Sequence, residues 1–213
     1  MNYQFTITFS LPESGKNPEE FLDALYEAGC SDALVGIGQV GLISLEFDRE
    51  ASDAVEAMRS AIEDVRKAIP EAQIAEASPD LVGMAEIADV LGVTRQMVRK
   101  YALSKAEFPR PVHTSEAVAL WHLVEVVNWA ETNKGTVIKK KGLLLEPLKE
   151  ISAVAFKLNF ELQQLRQQRL ALNIIGASKT RKLVATVVNT TSEPAKSTVK
   201  KRTSSRRTER AVG

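Results

Sequence analysis

Apolar and polar side chains alternate at the start of the chain, and this pattern predicts a strand. Tyr3, Phe5, Ile7 and Phe9 are separated by single polar residues, the period of two that is typical of a strand with one buried face. Changes of period further along predict a helix that begins at Asn17 and ends at Gly29, strands over 33–37 and 42–47, a helix that ends at Pro70, and a last strand over 72–77. The order of elements is therefore β-α-β-β-α-β.

Each of the two helices carries an apolar stripe that we expect to face the sheet. The stripe of the first helix consists of Phe21, Leu22, Leu25 and Tyr26. The stripe of the second helix consists of Val55, Met58, Ile62, Val65 and Ile69. Helices packed on one sheet in this order form the split pattern of a ferredoxin-like α+β sandwich, which we predict for residues 1–78.

A glycine-rich segment between the two middle strands imitates a dinucleotide-binding motif. Residues 36–41 read Gly-Ile-Gly-Gln-Val-Gly, a literal GxGxxG. In a dinucleotide site the last glycine opens a helix whose N-terminus binds the pyrophosphate. Leu42 instead begins a strand, so we interpret the segment as a hairpin connection and expect no cofactor.

The spacing of apolar residues changes after residue 80 and predicts a helix-turn-helix over residues 84–101. The first helix buries Ile87, Ala88 and Leu91, and Gly92 supplies the tight turn. Thr94 caps the second helix. This spacing is more specific than any other signal in the chain.

The second of these helices leaves polar and basic side chains exposed near its start. They are Thr94, Arg95, Gln96, Arg99 and Lys100. Arg and Gln are suited to bidentate contacts with guanine and adenine in the major groove, which the start of such a helix enters. The alternative is an ordinary solvated helix face.

An extended segment and a further helix complete the predicted arrangement over residues 79–133. Residues 108–113 read as extended because proline disfavours helix at the preceding residue, residues 114–117 make a turn, and 118–121 return as a strand. A helix over 123–133 follows. Arg110, on the extended segment, is expected either to contact DNA or to decorate a loop.

These residues resemble the MerR-like and excisionase-like (AlpA-type) winged helix-turn-helix proteins over about 50 residues. The resemblance rests on Ile87-Ala88 with Leu91-Gly92-Val93-Thr94, on Phe108-Pro109-x-Pro111-Val112, and on Trp121, Val126 and Trp129. It implies sequence-specific binding of double-stranded DNA, with Arg95, Gln96 and Arg99 reading bases and the wing contacting the backbone or the minor groove.

A long heptad pattern follows the basic linker of residues 134–145 and predicts a helix over 146–175. Its seam steps by three and four residues through Leu148, Ile151, Ala155, Leu158, Leu162, Leu165, Arg169 and Leu172. One interpretation is a dimerisation helix in a coiled coil, with contacts at Leu148, Ile151, Leu158, Leu162, Leu165 and Leu172. The other is an amphipathic helix that packs on its own domain.

Charge separates the chain into three parts. Residues 1–80 hold 5 basic and 16 acidic side chains, residues 81–175 hold 13 and 9, and residues 176–213 hold 10 and 2. The net charges are therefore −11, +4 and +8. An acidic face can dock a basic protein partner or sense an effector, or be a plain solvated surface.

The tail over residues 176–213 is rich in Ser, Thr, Lys and Arg, and we predict that it is disordered. Its clusters Lys200, Lys201, Arg202, Arg206 and Arg207 are expected to bind DNA phosphates without sequence preference. A solvated tail without a role is the alternative.

Several function classes are not expected. The start of the chain lacks the basic region of a secretory signal, and no stretch approaches the roughly 18 consecutive apolar residues of a membrane span. Cys30 is the only cysteine and the two histidines lack partners at metal spacing. Without a catalytic constellation, we expect no enzyme, no metal and no cofactor.

The sequence therefore predicts a cytoplasmic, nucleoid-associated protein that binds specific DNA, a dimeric bacterial transcriptional regulator. The alternative is an antitoxin-like or accessory protein of a defence or mobile-element system, which binds a protein partner through its acidic module and DNA for autoregulation.

Overall fold

The structure is a computed structural model that describes residues 1–12, 17–133 and 145–176, the last five by their backbone alone. Within these ranges the protein is α+β, with six helices and two antiparallel sheets. The first region contains β1 (Asn2–Ser10), a 3-10 turn (Pro18–Phe21), α1 (Leu22–Ala28), β2 (Ala33–Gly36), β3 (Leu42–Glu50), α2 (Ala54–Ala68) and β4 (Gln73–Ser78). The second region contains β5 (Leu81–Val82), α3 (Met84–Leu91), α4 (Arg95–Ser104), β6 (His113–Thr114), β7 (Ala119–His122) and α5 (Leu123–Thr132). A long helix, α6 (Leu145–Gly176), follows.

The first region is built on a four-stranded antiparallel sheet in the order β2-β3-β1-β4. The alternation at the start of the chain sets the register, since Phe5 lies opposite Phe47 and Ile7 opposite Leu45. All four side chains are buried, and the two phenylalanine rings stack at 5.2 Å. The expected strand with one buried face is confirmed.

Helices α1 and α2 cover the buried face of this sheet, but not with all the expected residues. Leu22 is 39% exposed, Tyr26 is 70% exposed and Val55 is 61% exposed, so the prediction that these three residues face the sheet is wrong. In α2 the expected Met58 and Val65 are buried, together with the small residues Ala54, Ala57 and Ala61. The buried face of α2 therefore includes these alanines and not Val55.

The glycine-rich segment of residues 36–41 connects β2 to β3, which pair antiparallel. Gly41 has φ +75° and precedes the first residue of β3. No helix begins at this point, so the segment has no helix N-terminus to offer a pyrophosphate. The interpretation as a strand-to-strand connection is confirmed.

The second region packs α3, α4 and α5 against the three-stranded sheet β5-β7-β6. Trp121 on β7 is 1% exposed, and its Nε1 donates a hydrogen bond to the carbonyl oxygen of Pro109 at 3.0 Å. Phe108 packs edge-on against Trp129 of α5 at 4.8 Å. The extended segment that precedes β6 is therefore held against α5 by these aromatic contacts. The two-residue strand β5 was not expected from the sequence.

Helix α6 contacts both regions. Ile151 and Ala155 belong to the core of the first region, whereas Leu145 and Leu148 pack on the core of the second. Asn159 binds the backbone of β4, where its Oδ1 accepts from the N–H of Ala77 and its Nδ2 donates to the carbonyl of the same residue, both at 2.8 Å. The unit that contains both regions runs from Met1 to Arg166, and a second unit begins at Gln167 within the helix.

Candidate nucleic-acid interface

The turn between α3 and α4 positions the second helix. Gly92 has φ +67°, a backbone conformation in which a side chain would be strained. The N–H of Val93 then donates to the carbonyl of Ala88 at 2.9 Å. Thr94 caps α4, because its hydroxyl oxygen accepts from the N–H of Met97 at 3.2 Å. The expected turn and cap are therefore present.

Helix α4 has one buried face and one exposed face. Val98 is fully buried, and Tyr101 is buried with its ring 5.3 Å from the ring of Trp129. These contacts fix the rotation of the helix about its axis. The α4 side chains expected to contact DNA lie outside the core, namely Arg95, Gln96, Arg99 and Lys100.

The cations of α4 form no ion pair with carboxylates in the described part of the chain. The helix contains no acidic residue. Among the described residues, no carboxylate lies within ion-pair distance of Arg95, Arg99 or Lys100. Their donors are therefore available to an external acceptor, and guanidinium groups in particular match the paired acceptors of guanine or a phosphate.

The β6–β7 hairpin lies beside the extended segment that carries Arg110. His113 pairs with Leu120, and the N–H of Ser115 closes the turn on the carbonyl of Val118 at 2.8 Å. Arg110 is exposed, and no described carboxylate pairs with it. Among the described residues, no hydrogen bond or ion pair joins Arg110 to a side chain of α4.

Asp80 joins the two regions to α6, and sequence reasoning missed it. This carboxylate is 4% exposed, with one oxygen 2.6 Å from Nδ1 of His122 and the other accepting from Asn159 at 2.8 Å. Its carbonyl also accepts from the N–H of Leu123 at 2.7 Å. Asp80 holds β7 and the start of α5 against α6. Asp80 lies between β4 and β5, and nothing in the sequence around it predicts that its carboxylate would bind both His122 and Asn159.

The first half of the expected dimerisation seam is occupied by its own chain. Ile151 is 1% exposed, and Leu148 and Leu158 are partly buried against the two cores. This half behaves as the amphipathic alternative predicts. Leu162 is half-buried and Leu165 is 53% exposed, so dimerisation stays a prediction for the second half.

Some expected contact residues lie outside the described side chains. They are Leu172 of the seam and Lys200, Lys201, Arg202, Arg206 and Arg207 of the tail. The linker residues 134–144 also lie outside the described ranges.

Other candidate chemistry is limited in the described residues. Cys30 is a buried free thiol, and burial raises its pKa to about 11, which disfavours the nucleophilic thiolate. No cluster of three or more His, Cys, Asp or Glu in the described ranges could hold a metal ion. None of the described helices combines the length and apolar character needed to cross a membrane.

A search for related proteins finds no match for this chain among family models, curated proteins or solved structures.

Proposed function

We propose that this chain is a sequence-specific double-stranded DNA-binding protein, a bacterial transcriptional regulator that acts at the nucleoid. In this proposal the second region is a winged helix-turn-helix of the MerR-like or AlpA type. Helix α4 enters the major groove, and the β6–β7 hairpin is the wing.

The observation that carries the proposal is the exposed face of α4. Three cations and Gln96 project from a helix whose rotation is fixed by buried Val98 and Tyr101 and whose start is capped by Thr94. An α-helix about 10–12 Å wide with its side chains fits the roughly 12 Å width of the major groove. Base recognition requires donors of this kind, carried on a helix fixed in rotation and without an ion-pair partner among the described residues.

We assign supporting roles to the rest of the chain. The basic tail adds affinity for phosphates without sequence preference. The second half of α6, with Leu162 and Leu165, pairs two chains so that two α4 helices read half-sites about 34 Å apart. We also propose that the first region is a ferredoxin-like sandwich that binds an effector or a protein partner.

The test begins with selection of duplexes from a randomised library by the full chain. Binding of the selected duplex and of a scrambled duplex is then measured by fluorescence anisotropy at about 50 and 200 mM salt. We expect one sequence to be enriched, and its preference over the scrambled duplex to persist at the higher salt. Equal binding of both duplexes that collapses with salt would overturn the proposal, since it would leave only non-specific attraction by basic residues.

A further inference from the structure

The exposed face of α4 has an apolar residue at its centre. Successive residues of an α-helix are rotated by about 100° around its axis, and we measure these angles from Arg95. Buried Val98 and Tyr101 then lie at about 300° and 240°, so the face that points away from the core is centred at about 90°. Gln96 lies at about 100° and Leu103 at about 80°. These two side chains therefore point most directly away from the protein.

The charged residues of the helix flank this line. Arg99 lies at about 40° and Lys100 at about 140°, one on each side of the centre. Leu103 is 78% exposed and belongs to neither hydrophobic core. Its side chain leans towards the preceding turn, as helical side chains do, and so towards Arg99 and Lys100.

A single exposed leucine needs no explanation in general, but its position here does. Leu103 lies about one turn beyond Arg99 and Lys100 on the same exposed face, so binding that reaches the last turn of α4 would desolvate its side chain. It cannot form a hydrogen bond with a base edge. The apolar group that an unmodified base pair displays in the major groove is the C5-methyl group of thymine.

We infer that Leu103 is a specificity-determining residue that contacts a thymine C5-methyl group. The inference rests on the proposed function and extends it to the base sequence of the site. Leu103 follows Gln96 by seven residues, or about 10.5 Å along the helix. With base pairs about 3.4 Å apart, this length projects to at most about three base pairs, so the thymine lies within about three base pairs of the base that Gln96 contacts.

The test compares thymine with deoxyuridine, which pairs identically but lacks the methyl group. The probe is the duplex selected by the full chain, resynthesised with deoxyuridine at one thymine position at a time. For the wild-type chain we expect one substitution to weaken binding about fourfold, the affinity that burial of one methyl-sized group provides. This thymine should lie within about three base pairs of the base whose contribution is lost in Gln96→Ala.

The variant Leu103→Ala tests whether the side chain of Leu103 is what contacts the thymine methyl group. Alanine favours helix and truncation of an exposed side chain leaves no cavity, so the fold is expected to be retained. In Leu103→Ala the thymine and deoxyuridine duplexes should bind equally, at the weaker affinity. The matched control is Leu34→Ala, since Leu34 is 72% exposed on β2. It should keep the fourfold discrimination.

The outcomes separate this inference from the proposed function. If a sequence is enriched but no deoxyuridine weakens binding, or if the loss persists unchanged in Leu103→Ala, the inference is overturned and specific binding stands. If no sequence is enriched, the proposed function is overturned and the inference with it.

Discussion

The two regions use their cations in opposite ways. In the first region, three of the four described cations are paired with carboxylates, namely Arg49, Arg59 and Lys67, while Arg66 is not. The second region has five cations, and none of them is paired with a described carboxylate. These cations are Arg95, Arg99, Lys100, Lys105 and Arg110.

This contrast cannot be read from net charge. Residues 81–133 hold 5 basic and 6 acidic side chains, so the second region is not basic as a whole. What distinguishes it is the separation of charge, because α4 carries three cations and no acid. The buried pairs of Arg49 tie elements of the first region together, whereas the three cations of α4 lie on one exposed helix without a described carboxylate partner.

The largest expected effect is the loss of stability when the buried ion pairs of Arg49 in the first region are removed. Arg49 is 7% exposed and donates to Asp32 at 2.8 and 2.9 Å and to Asp64 at 2.9 Å. We expect Arg49→Met to lower the free energy of unfolding by about 3 kcal/mol, because two carboxylates lose their cation in a partly buried site. Urea denaturation measures the change.

The control for Arg49 is Arg59→Met, whose cation pairs with Glu56 and Glu63 at an exposed position of α2. Solvent screens such a pair, so the unfolding midpoint should barely move. Equal losses for the two variants would show that burial of the Arg49 network is not what makes it structural.

A smaller effect concerns the attachment of α6 to the first region. The hydroxyl of Tyr3 donates to Glu150 at 2.6 Å, and this hydrogen bond, followed by burial, raises the pKa of Tyr3 to about 12 from 10.0. The folded state thus holds the proton more tightly than the unfolded state. Its contribution is fully present below pH 10 and is lost as the pH rises towards about 12.

We therefore expect Tyr3→Phe to lower the free energy of unfolding by about 1–2 kcal/mol at neutral pH. The difference from the wild type should shrink between pH 10 and about 12. Denaturant titrations of both proteins at several pH values measure it. A difference that stays constant through this range would mean that the hydroxyl–carboxylate bond does not contribute.

The smallest expected effect separates two buried tryptophans of the second region. Nε1 of Trp121 has an acceptor, the carbonyl of Pro109, whereas Nε1 of Trp129 is buried without one among the described residues. Both Trp→Phe changes remove the same atoms. We expect Trp121→Phe to destabilise the protein by about 1 kcal/mol more than Trp129→Phe, since only the former loses a hydrogen bond. The reverse order in thermal unfolding would contradict this.

Much of the fold was predictable because the spacing of apolar residues reflects which side of each strand or helix is buried. The alternation from Tyr3 to Phe9 and the turn at Gly92 both appear where expected, since period and backbone conformation are local properties. The buried face of α2 was predictable in part, since the expected Met58 and Val65 are buried. The three buried alanines were not expected, because hydrophobic patterns weight alanine weakly against the exposed Val55.

The candidate site was predictable only in part. The exposed face of α4 follows from helical spacing and the buried Val98. By contrast, the seam of α6 reads the same whether its own chain or a second chain covers it, and only the structure shows Ile151 in its own core. The hydrogen bonds of Asp80 were not predictable, because they join residues that are far apart in the chain, such as Asp80 and Asn159.

The most direct test of the account compares two exposed arginines without a described carboxylate partner, one from each region. Arg99→Ala and Arg66→Ala remove the same charge from a helix surface, on α4 and α2 respectively. Affinity for the selected duplex is measured by fluorescence anisotropy, and thermal unfolding checks that both variants keep the stability of the wild type. We expect Arg99→Ala to weaken binding by about 1–3 kcal/mol and to relax specificity, while Arg66→Ala binds as the wild type does. Equal affinities for the two variants would contradict the assignment of α4 as the surface that reads DNA.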